Sequence, residues 1–196
     1  MGLNYLEHVK EGPNRDNIPK FPTIFMRCVT SLVGHEGQIV RPRASETLDY
    51  EGELILVVGR RAKHLGNEGS VREFQRKTTQ WDMGKNFDHT GGFGPWMVNA
   101  EELPPGAKGL KLVTRLNGKV MQSDNTANMM FPVVEMLVYL TQGLTLEPGD
   151  IIFTGTPSGV GHARKPDPVW MRNGDVCEID IEGVGTLRNP IVDQQC

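Results

Sequence analysis

The sequence predicts one β-rich unit of mixed α/β class. Short apolar runs with strand character are separated by turn signals, which 23 Gly and 13 Pro residues supply. Few segments have helical periodicity, and no internal repeat, low-complexity tract or linker divides the chain. The 196 residues are 38% hydrophobic and 23% charged, a balance typical of a globular protein with a substantial core. We therefore expect residues 1–196 to form a single domain.

Turn residues mark where the predicted strands begin and end. Asn117-Gly118 is typical of a type I′ hairpin, and residues 172–175 (RNGD) are predicted to turn the chain before its last strands. The predicted strands are 23–26, 53–59, 95–99, 110–116, 119–122, 150–154 and 175–182.

Three helices are predicted, at 4–11, 70–77 and 131–142. The clearest is 131–142, which is amphipathic. Its residues Val134, Leu137, Val138 and Thr141 recur at helical spacing.

Composition excludes several classes of protein. The net charge is -3, the isoelectric point is near 6.0, and Lys and Arg are scattered, so a nucleic-acid partner is not expected. Three widely spaced cysteines without CxxC spacing indicate neither a disulfide framework nor a zinc site, and they favour a reducing cytoplasm. No apolar run is long enough to span a bilayer, and the first residues do not have the pattern of a signal peptide. We expect a soluble cytoplasmic protein.

Some apparent signals are interpreted as structural. The glycines of 155–161 (GTPSGVG) lack the spacing of a phosphate-binding loop, so this segment is predicted to be a turn. Cys28 and Cys177 lie in apolar contexts and are predicted to be packing thiols. The remaining histidines share no spacing and are predicted to be surface residues: His35, His64, His89 and His162.

A row of acids stands in the stretch 48–54 (LDYEGEL). In an extended chain Asp49, Glu51 and Glu53 project to one side. Two carboxylates two residues apart can hold a hard cation such as Mg²⁺ or Mn²⁺. The alternative is a solvated face, which is the commoner reason for such a pattern.

Other chemical residues also have two interpretations. His8 and Glu11 are three apart on a predicted helix, so the carboxylate could orient the imidazole as a base, or both could lie on a solvated face. Arg72 and Gln75, also three apart, could donate to substrate oxygens, or Arg72 could pair with a structural acid. Lys85 by itself could be a surface lysine.

Together, a series of segments resembles the catalytic domain of the fumarylacetoacetate hydrolase family, in the right order over nearly the whole chain. The resemblance implies coiled β-sheets around a central β-roll with short peripheral helices, a homodimer, and a divalent metal held by three carboxylates. That metal is expected to be Mg²⁺, or else Mn²⁺ or Ca²⁺. The segments are 2–11 (GLNYLEHVKE), 21–27 (FPTIFMR), 48–60 (LDYEGELILVVGR), 70–75 (SVREFQ), 84–88 (GKNFD), 93–98 (FGPWMV), 115–122 (RLNGKVMQ), 146–161 (LEPGDIIFTGTPSGVG) and 173–190 (NGDVCEIDIEGVGTLRNP).

The resemblance implies the metal ligands position by position. Glu51 and Glu53 fall on the first two ligand positions, which leaves Asp49 a structural or supporting role. The third ligand is usually the Asp of N-D-x-S-x-R-D-x-Q. Residues 67–75 read NEGSVREFQ, so Glu68 falls on that position with an arm one methylene longer.

The remaining roles are also implied by the resemblance. Residues 1–20 would form a lid-like segment in which His8 and Glu11 activate water. Lys85 would lie in the metal pocket and balance its acids. Arg72 and Gln75 would contact substrate oxygens, and Thr156 would lie near the substrate carboxylate.

The chain departs from the family at residues 60–66 (RRAKHLG), where relatives have a helix and a further strand. The alternatives are a true deletion, which would remove the strand that positions the third ligand, and a segment absent from this sequence. We interpret it as an absent segment, and we expect the natural protein also to be longer at its N-terminus.

The implied activity is metal-dependent cleavage of a carbon-carbon bond in a 2,4-diketo acid of the acylpyruvate, fumarylpyruvate or fumarylacetoacetate type. In that scheme His8 and Glu11 deprotonate water, Lys85 and Gln75 stabilise the oxyanion, and the metal is an electron sink. The same constellation would also support an oxaloacetate-type decarboxylase, an isomerase or a lyase. A degenerate, non-catalytic binding protein is the remaining alternative.

Overall fold

β-Strands predominate over helices in the computed structural model, which describes residues 1–13, 15–59 and 81–195. The α-helices in these ranges are α1 (Leu6–Glu11), α2 (Asp82–Lys85) and α3 (Val133–Gly143). The strands are β1 (Leu32–Gly34), β2 (Ile39–Arg41), β3 (Ile55–Val57), β4 (Gly91–Phe93), β5 (Lys111–Leu116), β6 (Lys119–Asn125), β7 (Ile151–Phe153), β8 (Val176–Ile181) and β9 (Gly185–Asp193).

The largest sheet has five strands in the order β2-β9-β8-β5-β6, in which only the β2–β9 pair is parallel. Two small pairs complete the described sheets, parallel β1–β4 and antiparallel β3–β7. This β-rich, mixed architecture confirms the predicted fold class. None of the helices in the described ranges is both long enough and apolar enough to cross a membrane.

The predicted hairpin is confirmed between β5 and β6, where Leu116 is paired with Lys119. Asn117 and Gly118 have φ values of 51° and 75°. A type I′ turn requires positive φ at both central residues, and Asn-Gly meets this requirement at little steric cost. The turn at 172–175 is also present, closed by the Asp175 N–H, which donates to the Arg172 carbonyl at 3.0 Å.

Some strand predictions are wrong. Residues 23–26 contain only an isolated bridge, from Thr23 to Gly2, and the predicted strand 95–99 is not a strand. Pro95 has no N–H to give to a ladder, and the strand of this region, β4, ends just before it at Phe93. The prediction at 53–59 is shortened to β3. Strands β1, β2, β4 and β9 were not predicted: the first three have three residues each, and β9 contains Pro190.

Helices α1 and α3 confirm two helix predictions, but the face predicted for α3 is shifted. Its buried residues are Val133, Met136, Leu140 and Thr141. Val134 and Val138 are 61% and 54% exposed. The packing of Val133 and Met136 into a core cluster decides which side of the helix is buried. The predicted helix 70–77 lies outside the described residues.

Two hydrophobic clusters form the core, and the stretch 48–54 contributes to both. Leu54 belongs to a cluster with Leu112, and Tyr50 to a cluster with Leu116. Leu112 and Leu116 lie on the same face of β5, so 48–54 runs across that face. Tyr50 and Leu54 therefore face the five-stranded sheet, and the acids that alternate with them face the other way.

Candidate active site

The acids of the stretch 48–54 are buried, so the solvated-face alternative is wrong. Asp49, Glu51 and Glu53 are 4%, 9% and 7% exposed. They alternate with Tyr50 and Leu54 of the core, as an extended chain predicts. Carboxylates are rarely buried unless they are paired, hydrogen-bonded or bound to a metal, so this row is a candidate site.

Gly52 allows the acidic stretch to lie close to β5. A Cβ atom at position 52 would lie 2.0 Å from the Thr114 hydroxyl oxygen. The Gly52 N–H donates to the Gln122 amide oxygen at 2.9 Å, which fixes the stretch against β6. Glycine is therefore required at this point by close approach.

Antiparallel pairing of β3 with β7 places Glu53 against the loop 154–161. Ile55 is paired with Phe153, so continuing the register brings residue 53 opposite residue 155. The Gly155 N–H donates to Glu53 Oε2 at 2.7 Å. Such a bond orients the carboxylate and partly compensates for its burial.

Lys85, at the end of α2, lies against the acidic stretch. Its Nζ donates to Glu51 Oε2 at 2.8 Å, and the two side chains are 4% and 3% exposed. The ammonium also lies 5.0 Å from the centre of the Phe25 ring. The surface-lysine alternative is therefore wrong, and the cation is buried beside the predicted metal ligands.

Asp49 has the structural role that was expected for it. Its carboxylate accepts hydrogen bonds from the Gly161 N–H at 2.7 Å and from the His162 N–H at 3.0 Å. It therefore anchors the end of the loop 154–161.

The surface prediction for His162 is wrong. Its side chain is 10% exposed, and its Nδ1 lies 3.4 Å from Asp49 Oδ2. Its ring packs inward beside the buried Asp49, whose carboxylate also accepts from the His162 backbone N–H. His35 and His89 are exposed, as predicted, and His64 is outside the described residues.

His8 and Glu11 form a pair on α1. Nδ1 of His8 is 3.1 Å from Glu11 Oε2, and His8 is 6% exposed. The second carboxylate oxygen, Oε1, accepts from the Gly159 N–H at 2.7 Å. His8 is therefore buried, Glu11 is partly buried with 23% of its side chain exposed, and the pair is held from both sides, unlike a solvated helix face.

The loop 154–161 brings the pair and the acidic stretch together. It donates backbone N–H groups to Glu53 from residue 155 and to Glu11 from residue 159. Four residues of chain separate these two points by at most about 14 Å. The segment predicted to be only a turn is a turn that positions three carboxylates, since it also holds Asp49.

Thr156 lies in the same loop, 3% exposed. Its hydroxyl accepts from the Gln122 amide nitrogen at 2.8 Å, and that nitrogen also donates to the Pro157 carbonyl at 2.9 Å. A hydroxyl that accepts one bond keeps its hydrogen for another acceptor. Gln122 was not predicted, because a lone Gln in the run KVMQ carries no sequence signal; its role comes from the position of β6 beside the loop.

Three predicted site residues, Glu68, Arg72 and Gln75, fall outside the described residues. Within the ranges that are described, no three His, Cys, Asp or Glu side chains are grouped as a metal site. Glu51 and Glu53 nevertheless fit a hard divalent ion in the chemistry of their donor atoms, because they are buried carboxylates two residues apart. Their metal-binding role stays a prediction.

The two described cysteines differ. Cys177 is buried in the core, as predicted, and burial raises its pKa to about 12. Cys28 is exposed, so its interpretation as a packing thiol is wrong. It lies in the loop before β1, where the 21–29 region exposes Phe21, Met26 and Val29 to solvent as well. A local apolar context therefore does not by itself indicate burial.

Known proteins resemble this chain in sequence and in fold. The family model described as fumarylacetoacetate (FAA) hydrolase C-terminal matches residues 1–192. The human mitochondrial protein named oxaloacetate tautomerase FAHD2A is 36% identical over 208 residues, a match that covers 98% of this chain and 65% of that protein.

Solved structures agree with these matches. The fumarylacetoacetate hydrolase of Exiguobacterium antarcticum superposes with a TM-score of 0.84 and 35% identity, covering 98% of this chain and 73% of that chain. The 5-carboxymethyl-2-hydroxymuconate delta-isomerase of Mycobacterium smegmatis has a TM-score of 0.82 and 32% identity, covering 100% of this chain and 78% of that chain. Because the family model matches residues 1–192 and these structures are similar in sequence and fold, the chain belongs to the fumarylacetoacetate hydrolase family.

Proposed function

We propose that this protein is a divalent-metal-dependent hydrolase that cleaves a carbon-carbon bond in a 2,4-diketo acid. The observation that carries the proposal is the pairing of the buried His8 with the partly buried Glu11, with 3.1 Å between Nδ1 and Oε2. A hydrolase needs a base that can take a proton from water, and a carboxylate-oriented imidazole is suited to that task.

The orientation of His8 assigns a role to each ring nitrogen. With Nδ1 directed at the Glu11 carboxylate, Nδ1 is the donor and Nε2 is left to accept a proton from water. Glu11 would then stabilise the imidazolium that forms. The Gly159 N–H bond on its other oxygen keeps the carboxylate in place during that change.

Glu51 and Glu53 would hold the divalent ion, with Glu68 as the third ligand. When bound, such an ion supplies Lewis-acid polarisation of the substrate oxygens. The carboxylate oxygens are of the donor type that Mg²⁺ prefers.

Lys85 would stabilise negative charge on the substrate as water adds to the carbonyl. Its ammonium is buried, and Glu51 Oε2 fixes its position at 2.8 Å. A preorganised cation in a buried, water-excluded site stabilises an oxyanion more strongly than it would in water. Gln75 would assist it, Arg72 would donate to substrate oxygens, and Thr156 would lie near the substrate carboxylate.

A second candidate is tautomerisation or decarboxylation of an oxaloacetate-type acid, and the name of the human relative, an oxaloacetate tautomerase, favours the first of these two reactions. That chemistry needs the metal and a proton carrier but no water attack. His8 would then move a proton between two positions of the substrate. The two candidates share the acids and differ in whether water becomes part of the product.

The experiment presents acetylpyruvate, fumarylpyruvate and oxaloacetate to the full-length protein with Mg²⁺ and identifies the products. Hydrolysis releases pyruvate and a carboxylic acid from a diketo acid, and we expect this result. Reaction with oxaloacetate alone would transfer the assignment to the second candidate.

The predicted metal ligands are tested by substitution. Glu51→Ala and Glu53→Ala are expected to abolish Mg²⁺ binding and activity while the protein stays folded.

A non-catalytic binding protein is the remaining alternative. Elemental analysis for bound Mg or Mn and a thermal shift with added Mg²⁺ test it, because a metal-free protein that does not respond to Mg²⁺ would favour it.

We also propose that the protein is a cytoplasmic homodimer with no nucleic-acid or membrane partner. Light scattering after gel filtration tests the dimer.

A further inference from the structure

Two residues outside the predicted site, Tyr50 and Arg164, donate hydrogen bonds to Gly159, the loop residue that donates to Glu11. The Gly159 carbonyl accepts from the Tyr50 hydroxyl at 3.3 Å and from an Arg164 terminal nitrogen at 3.3 Å. The N–H of the same residue donates to Glu11 Oε1 at 2.7 Å. Gly159 therefore connects the Tyr50 and Arg164 side chains to the His8–Glu11 pair.

Tyr50 and Arg164 also hold each other, and together they form what we call the clasp. Arg164 Nε donates to the Tyr50 hydroxyl oxygen at 2.9 Å, and its terminal nitrogen donates to the Met121 carbonyl at 2.6 Å. Met121 is a core residue of β6. The guanidinium thus fastens the loop to the five-stranded sheet.

Gly159 lies so close to that sheet that no side chain fits between them. Its φ is +95°, and a Cβ atom there would lie 2.4 Å from the Met121 carbonyl oxygen. Tyr50 is 2% exposed, and burial raises its pKa to about 12 against the opposing effect of Arg164. At neutral pH the hydroxyl therefore keeps the proton that it donates to Gly159.

We infer that Tyr50 and Arg164 are positioning residues, which fix the Gly159 peptide so that its N–H aligns Glu11 and, through Glu11, the ring of His8. The inference rests on the proposed function, in which His8 is the base. It assigns a role in the reaction to two residues that touch neither His8 nor Glu11. The orientation of the imidazole ring is therefore set at the five-stranded sheet. A chain of hydrogen bonds leads there from His8 through Glu11, Gly159 and Arg164 to the Met121 carbonyl.

The test uses Tyr50→Phe, which removes one hydroxyl, and Arg164→Lys, which keeps the charge but loses the planar group of donors. The matched controls are Tyr139→Phe and Arg41→Lys. Tyr139 stacks on Phe21, and Arg41 pairs with Asp193 at 2.6 Å, away from the loop. Glu11→Gln is the reference for a disturbed pair.

The first readout is the ¹⁵N chemical shift of the His8 imidazole, at fixed pH, in protein without metal or substrate. Both clasp variants are expected to shift the Nδ1 resonance in the direction that Glu11→Gln shifts it, and both controls are expected to leave it unchanged. Unchanged His8 resonances in both clasp variants, or equal shifts in the controls, would overturn the inference. This readout does not depend on the reaction.

The second readout is hydrolysis of acetylpyruvate with Mg²⁺. Each clasp variant is expected to lower kcat roughly tenfold with KM within about twofold, because the substrate contacts remain and only the base is misplaced. In a Glu11→Gln background the same changes should have no further effect. Additive losses would overturn the inference. If the parent protein does not cleave acetylpyruvate, the proposed function is wrong. The ¹⁵N shifts of His8 still test whether Tyr50 and Arg164 orient its ring.

Discussion

The ammonium of Lys85 lies 2.8 Å from Glu51 Oε2, with both side chains almost completely buried. In the proposed enzyme the Glu51 carboxylate is shared between this cation and a divalent ion. Two cations next to one carboxylate repel each other, so each lowers the affinity of the other.

Lys85→Met is therefore expected to lower kcat about a hundredfold or more while Mg²⁺ binds at least as tightly as to the parent. The activity falls because the oxyanion loses its cation, and the affinity is kept because a like charge is removed. Calorimetric titration with Mg²⁺ and steady-state kinetics measure the two effects. Lys119→Met, at an exposed position of the β5–β6 hairpin, is the control. A variant with much weaker Mg²⁺ binding would show that Lys85 supports the metal site.

Gly159→Ala is expected to destabilise the protein more than Gly149→Ala. Both glycines have φ of +95°, so the two changes impose the same backbone strain. Only at position 159 does the new methyl group meet other atoms, and the nearest of them is the Met121 carbonyl oxygen, whereas nothing lies within 4 Å at position 149. Overpacking of this kind costs about 1–3 kcal/mol of unfolding free energy. Denaturant unfolding measures the difference, and equal losses would contradict the packing described for the loop.

Cys28 and Cys177 are expected to differ in reactivity with a thiol reagent. In the native protein at pH 8, Cys28 should be modified rapidly and Cys177 only after denaturation, because Cys177 is buried and its pKa is raised to about 12. Peptide mass spectrometry locates the modification.

The raised pKa of Cys177 also fixes a direction for stability against pH. Its thiol holds its proton in the folded state at pH values where the unfolded thiol, with an ordinary pKa near 9, has lost it. This contribution to the free energy of unfolding is therefore complete below about pH 9 and decreases as the pH rises toward 12.

In the thiol-reagent experiment, modification of Cys177 in the native protein at the same rate as Cys28 would refute the burial of Cys177.

Local patterns predicted the elements that depend on local chemistry. The Asn117-Gly118 hairpin follows from the φ angles that these residues tolerate, and the alternation of Asp49, Glu51 and Glu53 with core residues follows from strand geometry. The spacing of His8 and Glu11 was enough to place them side by side.

Tertiary contacts determine the structural features that local sequence patterns do not predict. The buried face of α3 is fixed by packing of Met136 in the core, and two equally apolar residues, Val134 and Val138, lie outside. Gln122 joins Gly52 to Thr156 only because β6 passes beneath both. Short strands such as β1 and β4 are defined by their partner rather than by their own residues.

The most direct test of the central claim is the turnover of acetylpyruvate by His8→Ala, with oxaloacetate as the parallel substrate, in the full-length protein with Mg²⁺. A base that takes the proton from water is worth roughly a hundredfold or more, so we predict that kcat for acetylpyruvate cleavage falls by that factor while Mg²⁺ binding is unchanged. Undiminished turnover in His8→Ala, with oxaloacetate as the only substrate of the parent, would contradict the hydrolase assignment.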